Sequence, residues 1–331
     1  MIIVRITNYI NNYLSLIFND KYIEFLTTKP KINKEIKIIK YMFKGLYTAL
    51  ITPFKNGKID VSSLEKLLEK QIKAKVSGVV IAGTTGESPT LSHDEHNYLL
   101  KTCLDIVDNK IQVIAGTGSN STEEALSLTK YAEKINSDAA LIVTPYYNKP
   151  SQKGLYEHFK LIHDNTNIPI ILYNIPGRSI VNISIDLFKR LALLPRIVGV
   201  KDATGDLELP KIISKEIGKD FIQISGEDAT AIEFNIAGGQ GCISVTSNII
   251  PELCVEQQNY FFAKDIANAN KLTTKLKEIN QALFCETNPM PVKYAASLMD
   301  LCDSEIRLPL TDIEELSKIK VQKALKNLSL I

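Results

Sequence analysis

The sequence lacks the cysteine patterns that mark disulfide-rich and zinc-binding proteins. Its five cysteines are odd in number and widely spaced, and no Cys-x-x-Cys pair occurs. Neither a disulfide framework nor a zinc site is therefore indicated. We expect reduced thiols in a cytoplasmic protein. The cysteines are Cys103, Cys242, Cys254, Cys285 and Cys302.

Long apolar runs and an excess of one charge are also absent. No stretch of about eighteen apolar residues occurs, so no membrane span is predicted. The formal net charge at pH 7 is only +2, which gives no reason to expect a nucleic-acid or membrane partner. Of the 331 residues, 45% are hydrophobic and 23% are charged. This is the composition of a globular protein with an ample core.

The first 41 residues lack the marks of a targeting segment. Polar residues interrupt every apolar run, so the continuous hydrophobic region of a secretory signal is missing. A transit peptide is a poor match because Arg5 is the only arginine and the acidic residues Asp20, Glu24 and Glu35 are present. We interpret residues 1–41 as an extension that is not part of the fold, with Met42 as a candidate start.

From residue 46 onward, strand-like apolar runs alternate with amphipathic helical stretches. The alternation repeats roughly every 25–35 residues, the size of a βα unit. It predicts an α/β protein with a closed (β/α)8 TIM barrel over residues 42–264. An open doubly wound sheet is the alternative, but no Gly-x-Gly-x-x-Gly follows the first strand and no Gly-x-x-x-x-Gly-Lys occurs. The predicted strands are residues 46–52, 78–82, 111–116, 139–144, 168–174, 197–201, 221–225 and 241–245.

Beyond residue 264 the strand-like runs stop. Helical patterns cover residues 263–283, 292–301 and 312–328. We therefore predict that residues 265–331 form a C-terminal helical region.

One lysine stands where a buried strand meets a loop. Residues 197–204 read Ile-Val-Gly-Val-Lys-Asp-Ala-Thr, a pattern typical of a buried parallel strand that ends at Lys201. An amine at the mouth of an apolar core is partly desolvated, which favours its neutral form. A neutral lysine can attack a carbonyl and form a Schiff base. The alternative is an ordinary strand-end lysine whose ammonium group reaches solvent.

Polar or glycine-rich segments follow the other predicted strands. In a (β/α)8 barrel the chemistry lies at the carboxyl ends of the strands. Residues 83–87 read Gly-Thr-Thr-Gly-Glu, and two glycines that flank two threonines allow backbone N–H groups to approach a carboxylate. A glycine-rich turn that caps the next helix is the alternative.

Three motifs together resemble one enzyme family. Residues 83–87, residues 173–178 (Tyr-Asn-Ile-Pro-Gly-Arg) and residues 199–204 (Gly-Val-Lys-Asp-Ala-Thr) have the order and spacing of the dihydrodipicolinate synthases. These enzymes belong to the N-acetylneuraminate lyase group of class I pyruvate aldolases. The resemblance covers nearly all of the chain after the extension. It implies a homotetramer that condenses pyruvate with L-aspartate 4-semialdehyde to 4-hydroxy-tetrahydrodipicolinate, the first committed step of the diaminopimelate pathway to lysine, without a metal or organic cofactor.

The resemblance implies catalytic roles for four residues. Lys201 forms the imine with pyruvate, and Tyr173 moves protons beside it. A relay leads from Tyr173 through Thr84 to Tyr147, which the family places in the active site of a partner subunit. Such a relay is chemically reasonable because neutral hydroxyl groups pass a proton without burying a formal charge.

The resemblance also implies a set of substrate-binding groups. The backbone of Thr84 and Thr85 holds the pyruvate carboxylate. Arg178 holds the carboxylate of the second substrate, a role that suits the planar guanidinium group. Main-chain groups of Gly226 and Ile243 complete the pocket.

A pair of histidines raises the possibility of a metal site. His93 and His96 could be ligands, but the His-Glu-x-x-His pattern is absent and such histidines are more often surface residues. The resemblance implies instead an allosteric site for L-lysine, in which Glu124 pairs with the ligand's ammonium groups. Many relatives carry alanine at the position of Pro89. The residues of this site are Ser88, Pro89, His93, His96, Asn120, Glu124 and Tyr146.

Three other functions are alternatives. A sibling pyruvate lyase that acts on N-acetylneuraminate or a sugar acid would share Lys201 and Tyr173 but need not keep Arg178. A non-catalytic barrel should have lost Lys201 or a relay hydroxyl, and none is missing. A phosphate-binding isomerase would place a glycine-rich loop after strands 7 and 8, whereas residues 238–241 precede the eighth predicted strand.

Overall fold

The structure of the protein is a computed structural model that describes residues 43–331. The expected extension, residues 1–41, lies outside this part. Eight parallel strands close into a barrel, which confirms the predicted (β/α)8 TIM barrel. Each strand pairs with the next along the chain, and the first pairs with the last. The barrel strands are β1 (Gly45–Ala49), β2 (Gly78–Ile81), β3 (Gln112–Gly116), β4 (Ala139–Val143), β5 (Ile170–Asn174), β6 (Ile197–Asp202), β7 (Ile222–Ser225) and β8 (Gly241–Ser244).

Helices separate the strands along the chain, and several begin at serine caps. The Ser92 side chain accepts a hydrogen bond from the N–H of Glu95, and the Ser184 side chain accepts one from Leu187. These bonds satisfy N–H groups that have no partner within the helix. The helices are α1 (Val61–Ala74), α2 (His93–Val107), α3 (Thr122–Lys134), α4 (Gln152–Asp164), α5 (Pro176–Ser179), α6 (Ile185–Ala192), α7 (Leu209–Glu216), α8 (Ala231–Ile236), α9 (Pro251–Phe262), α10 (Ile266–Ala282), α11 (Met290–Leu298) and α12 (Glu315–Asn327).

A short antiparallel hairpin that the sequence did not predict follows β1. Phe54–Lys55 pairs with Lys58–Ile59. Strands of two residues are too short to show an apolar period. Their turn, Asn56 and Gly57, has positive φ at both residues (53° and 76°), as a two-residue Asn-Gly turn requires.

The barrel strands are buried on both faces. All five residues of β5 and all six of β6 are buried, because one face fills the barrel and the other packs on helices. Lys201 and Asp202, at the carboxyl end of β6, are therefore polar groups in a desolvated setting. Among residues 43–331, no helix has both the length and the apolar character that crossing a membrane requires.

The C-terminal region contacts loops at the carboxyl ends of the strands through α11 and the segment that follows it. Lys293, in α11, reaches Glu87 after β2. Arg307, between α11 and α12, binds Glu95 in the first turn of α2. The C-terminal region thus contributes to the end of the barrel where the predicted site lies.

Candidate active site

Lys201 and Tyr173 lie side by side at the carboxyl ends of neighbouring strands. In the parallel pairing of β5 with β6, Tyr173 is the direct partner of Lys201. Lys201 is only 6% exposed, and its Nζ is 4.4 Å from the centroid of the Tyr173 ring. A buried amine therefore lies against the ring that carries a phenolic hydroxyl, a group able to donate or accept a proton.

A glycine leaves room for the lysine. A β-carbon added to Gly226 would lie 3.2 Å from Lys201 Cε and 2.7 Å from the Cβ of Ala203. A side chain at position 226 would therefore press on Lys201. Ile243, the other residue predicted to contribute main-chain groups, is a fully buried member of β8.

Two carboxyl groups, those of Glu227 and Asp228, lie close enough to Lys201 for its charge to affect their pKa values. Burial raises the pKa of Asp228, whereas a hydrogen bond from the Ser244 hydroxyl and the charge of Lys201 act in the opposite direction. Burial also raises the pKa of Glu227, and the positive charges of Lys201 and Arg178 oppose that shift. The lysine thus stands in a site with charges of both signs.

The loop at residues 83–87 presents backbone donors that are not used elsewhere. The N–H of Glu87 donates to the carbonyl of Thr84 at 3.1 Å, which closes the turn. The N–H groups of Thr84 and Thr85 donate to no acceptor in the described part of the chain. They are therefore available to an anion such as a carboxylate.

Asn288, just before α11, touches both predicted substrate-binding groups. Its side-chain amide donates to Thr85 Oγ1 at 2.9 Å. Its backbone carbonyl accepts a hydrogen bond from Arg178 Nη2 at 3.0 Å. One residue of the C-terminal region therefore joins the glycine-flanked turn to the arginine of α5.

A cavity of about 230 Å³ is lined by some of the predicted catalytic and allosteric residues. The allosteric candidates His93, His96, Asn120 and Glu124 are not in its lining. Lys201 does not line the cavity, but it contacts Tyr173, which does line it. Tyr147 lies outside the cavity and is 91% exposed, with a left-handed backbone (φ 70°). The predicted site residues that line the cavity are Thr84, Ser88, Pro89, Tyr146, Tyr173 and Arg178.

Glu124 is held by two hydrogen bonds at the predicted allosteric site. The Ser119 hydroxyl donates to one carboxylate oxygen, and His93 Nε2 lies 2.6 Å from the other. These bonds lower the pKa of Glu124 below its ordinary value, so the group is ionised at neutral pH. A fixed carboxylate of this kind can bind the ammonium group of a ligand.

Three other predicted allosteric residues, His96, Asn120 and Tyr146, have environments of their own. His96 Nε2 donates to the carbonyl of Gly116 at 2.8 Å, and burial lowers the pKa of this histidine. Burial raises the pKa of Tyr146. The carbonyl of Asn120 accepts a hydrogen bond from the Asn148 amide at 2.7 Å. Within residues 43–331, no three His, Cys, Asp or Glu side chains are grouped so that they could hold a metal ion.

Our sequence interpretation missed four residues that support these sites, Ser119, Asn288, Lys293 and Arg307. The sequence could have pointed to Lys293, because it is the one charged residue in the mostly apolar helix α11. The structure shows that it is fully buried. Asn288 is marked only by the proline that follows it, which indicates a turn but not a distant partner. The contacts of Asn288, Lys293 and Arg307 with residues 85–95 join segments about 200 residues apart in the chain, as in the separation of 203 residues between Asn288 and Thr85. Ser119 contacts Glu124, which is only five residues further along the chain.

Sequence comparison identifies the relatives of the chain. The pattern of the Dihydrodipicolinate synthetase family matches residues 42–328. A protein of Pelagibacter ubique named 4-hydroxy-tetrahydrodipicolinate synthase is 53% identical over 296 residues, which cover 88% of this chain and 100% of that protein.

Solved structures give the same result. The chloride-inhibited dihydrodipicolinate synthase of Acinetobacter baumannii, complexed with pyruvate, is 45% identical with a TM-score of 0.85, and the match covers 87% of this chain and 99% of that chain. The dihydrodipicolinate synthase of Cyanidioschyzon merolae with lysine bound is 36% identical with a TM-score of 0.84, over 88% of this chain and 99% of that one.

Proposed function

Because the chain belongs to the Dihydrodipicolinate synthetase family, we propose that it condenses pyruvate with L-aspartate 4-semialdehyde to 4-hydroxy-tetrahydrodipicolinate. The observation that carries the proposal is the buried amine of Lys201, in register with Tyr173 at the end of β6. The relatives described above are synthases. They support this function and not that of a sibling lyase acting on N-acetylneuraminate or a sugar acid.

The first half of the reaction converts pyruvate into a nucleophile. The Lys201 amine attacks C2 of pyruvate, and the former carbonyl oxygen leaves as water with the help of a proton from the Tyr173 hydroxyl, which gives a protonated imine and a Tyr173 phenolate. The imine draws electrons from the adjacent methyl group. Tyr173 then removes a methyl proton, and the C–H electron pair forms the double bond of an enamine. General base catalysis of such a step contributes typically about 10²–10⁴-fold.

The second half forms the ring and frees the lysine. The enamine carbon attacks the aldehyde carbon of the second substrate, and the new alkoxide takes a proton to become the 4-hydroxyl group. The amine of that substrate, once deprotonated, attacks the imine carbon, and the C–N bond to Lys201 breaks. The product keeps the hydroxyl group, and one water is released over the whole reaction.

The binding groups are proposed from their positions around the cavity. The free N–H groups of Thr84 and Thr85 receive the pyruvate carboxylate. Arg178, which lines the same cavity, receives the carboxylate of L-aspartate 4-semialdehyde. Gly226 and Ile243 contribute main-chain groups beside Lys201.

We propose a homotetramer, a dimer of dimers, in which Tyr147 enters the active site of a partner subunit. The support is the position of Tyr147, whose side chain is 91% exposed and lies outside the cavity of its own chain. An exposed tyrosine can complete a relay of Tyr173 and Thr84 only if another subunit brings it there.

We propose L-lysine, the end product of the pathway, as a feedback inhibitor. The relative with lysine bound supports the proposal, and so does the ionised carboxylate of Glu124. Tyr146 and Tyr173 line one cavity, so a ligand at the first can disturb the second. Coupling between two such sites amounts typically to about 1–3 kcal/mol.

We propose finally that residues 1–41 add nothing to the activity. The family pattern begins at residue 42, and residues 43–331 form a compact unit of their own. A chain that starts at Met42 should match the full chain in turnover and melting temperature.

Reductive trapping tests the proposed function. Pyruvate with borohydride should add a stable mass to the peptide that contains Lys201, and not to the peptides that contain Lys211 or Lys293. The Lys201→Ala variant should show no trapping. Undiminished trapping in this variant, or turnover of N-acetylneuraminate but not of aspartate semialdehyde by the full chain, would overturn the proposal.

A further inference from the structure

A fully buried ion pair lies directly behind the turn that is proposed to bind pyruvate. Lys293 Nζ, from α11, is 2.5 Å from Glu87 Oε1, and both side chains are only 1% exposed. The ammonium group also lies 4.3 Å from the centroid of the Phe54 ring. Lys293 is therefore enclosed by one carboxylate and one aromatic face.

Glu87 is the last residue of the motif at residues 83–87. Its backbone is left-handed, with φ 56°, a conformation that a non-glycine residue adopts at some cost. Its second carboxylate oxygen accepts a hydrogen bond from the N–H of Arg307 at 3.0 Å. Two donors from the C-terminal region, Lys293 Nζ and the N–H of Arg307, thus fix the carboxylate of Glu87. The backbone N–H of the same residue closes the turn by donating to the carbonyl of Thr84.

Stability alone does not explain a pair of this kind. Two charges removed from water carry a desolvation cost that their attraction offsets only in part, and apolar replacements of buried pairs are often neutral or stabilising. Burial does lower the pKa of Lys293, although the charge of Glu87 acts in the opposite direction. The ion pair can fix the orientation of the Glu87 and Lys293 side chains, because a short charged hydrogen bond is directional. An apolar contact is not directional and cannot do this.

We propose that Lys293 is a positioning residue for the reaction: its ion pair with Glu87 holds the turn so that the N–H groups of Thr84 and Thr85 point at the pyruvate carboxylate. This inference rests on the proposed function. A hydrogen bond to a charged group contributes roughly 10- to 100-fold in affinity, so a turn that no longer directs these N–H groups at the carboxylate should bind pyruvate more weakly.

The test replaces the pair by groups of similar size without charge. In Glu87→Gln/Lys293→Met, the glutamine keeps an acceptor for the N–H of Arg307, and no unpaired charge is buried. We measure the melting temperature and the pyruvate concentration that half-saturates borohydride trapping on Lys201. The expected result is a melting temperature within a few degrees of the unaltered chain, with a half-saturating concentration raised about 10- to 100-fold and full trapping at saturation.

Lys318→Met is the matched control. Lys318 also belongs to the C-terminal region and is also paired with a glutamate, at 2.7 Å from Glu315, but it does not touch the turn. Its half-saturating pyruvate concentration should be unchanged. The charge-retaining variant Lys293→Arg should bind pyruvate better than the double variant does.

Three results separate the possibilities. A double variant that melts normally and binds pyruvate normally overturns the inference, because the turn would then hold pyruvate without the ion pair. If the double variant does not fold, the single variant Glu87→Gln is measured instead, and its melting temperature and pyruvate binding are judged by the same criteria. Lys293 can lose its proton in this variant, so no unpaired charge is buried. If the unaltered chain does not trap pyruvate, the proposed function itself fails and the inference fails with it.

Discussion

Tyr173 and Lys201 are direct partners across β5 and β6, and the lysine nitrogen lies 4.4 Å from the centroid of the tyrosine ring. Neighbouring strands are held about 4.8 Å apart by their hydrogen bonds. The distance between the two groups is therefore set by the barrel itself and not by a loop. A substitution of one should change the chemistry without moving the other.

Tyr173→Phe should separate proton transfer from imine position. The ring stays against Lys201, but the phenolic hydroxyl that we propose as the proton carrier is lost. We expect kcat to fall about 10²–10⁴-fold, the usual contribution of a general acid or base, while pyruvate can still be trapped on Lys201 at long reaction times. Steady-state kinetics and trapping measure the two effects. Tyr98→Phe, at an exposed tyrosine, is the control, and a Tyr173→Phe enzyme with normal kcat would remove the tyrosine from the mechanism.

Arg178→Ala should affect the second substrate and not pyruvate. A hydrogen bond to a charged group contributes about 1.5–3 kcal/mol, so kcat/KM for aspartate semialdehyde should fall roughly 10- to 100-fold. Pyruvate trapping should remain. Arg190→Ala, at an arginine that lies over the Tyr156 ring, controls for loss of an arginine elsewhere. Loss of trapping with normal use of the semialdehyde would reverse the assigned roles.

The barrel itself was predictable because its strands carry a strong signal. Strands buried on both faces form continuous apolar runs, and the observed β2 (Gly78–Ile81) and β8 (Gly241–Ser244) end one residue before the predicted ends. The structure shows that helix α2 begins after the capping residue Ser92. The short hairpin after β1 carried no such signal, because two residues define no period.

The supporting contacts of the site were not predictable in the same way. The glycine-flanked turn could be proposed as an anion site from the sequence, because the residues that suggest this role are five consecutive residues. The contacts of Asn288 with Thr85 and of Lys293 with Glu87 depend on how α11 packs against a loop about 200 residues earlier, and neither partner indicates the other.

Asp202→Asn should stabilise the protein at neutral pH. Burial raises the pKa of Asp202 to about 6, above the value of about 3.9 for an unfolded chain. Ionisation in the folded state therefore costs stability as the pH rises above about 4, and the cost is complete above about pH 6. The variant should gain at most about 3 kcal/mol at pH 8, and the gain should vanish below pH 4. Melting temperatures across this range measure the difference, with the exposed Asp94→Asn as the control. A constant difference at all pH values would contradict the prediction.

Mixed assemblies test whether Tyr147 acts in a partner subunit. Lys201→Ala chains keep Tyr147 but have no nucleophile, and Tyr147→Phe chains keep Lys201 but donate no hydroxyl group. If the tyrosine crosses between subunits, a mixed dimer contains one site with an intact Lys201 and an intact Tyr147. Mixing the two weak variants and allowing their subunits to exchange should then restore up to about a quarter of the normal activity, since half of the dimers are mixed and each has one complete site. Activity that stays at the average of the two variants would place Tyr147 in its own chain's site.

Glu124→Gln should weaken inhibition by lysine roughly 10- to 100-fold. Hydrogen bonds from Ser119 and His93 keep the pKa of Glu124 below its ordinary value, so the carboxylate is charged throughout the neutral range and can pair with the ligand's ammonium group. Glutamine has nearly the same shape but no charge, and a lost charged hydrogen bond weakens binding by about 1.5–3 kcal/mol, or roughly 10- to 100-fold. Inhibition curves at fixed pyruvate measure the shift. The control variant Glu123→Gln, at the exposed neighbouring residue, should leave the curve unchanged.

Because Tyr146 shares a cavity with Tyr173, the inhibition of the unaltered enzyme should appear mainly as a lower kcat and only weakly in the half-saturating pyruvate concentration. An unaltered enzyme that is indifferent to millimolar lysine would contradict the regulatory proposal and leave the catalytic one intact.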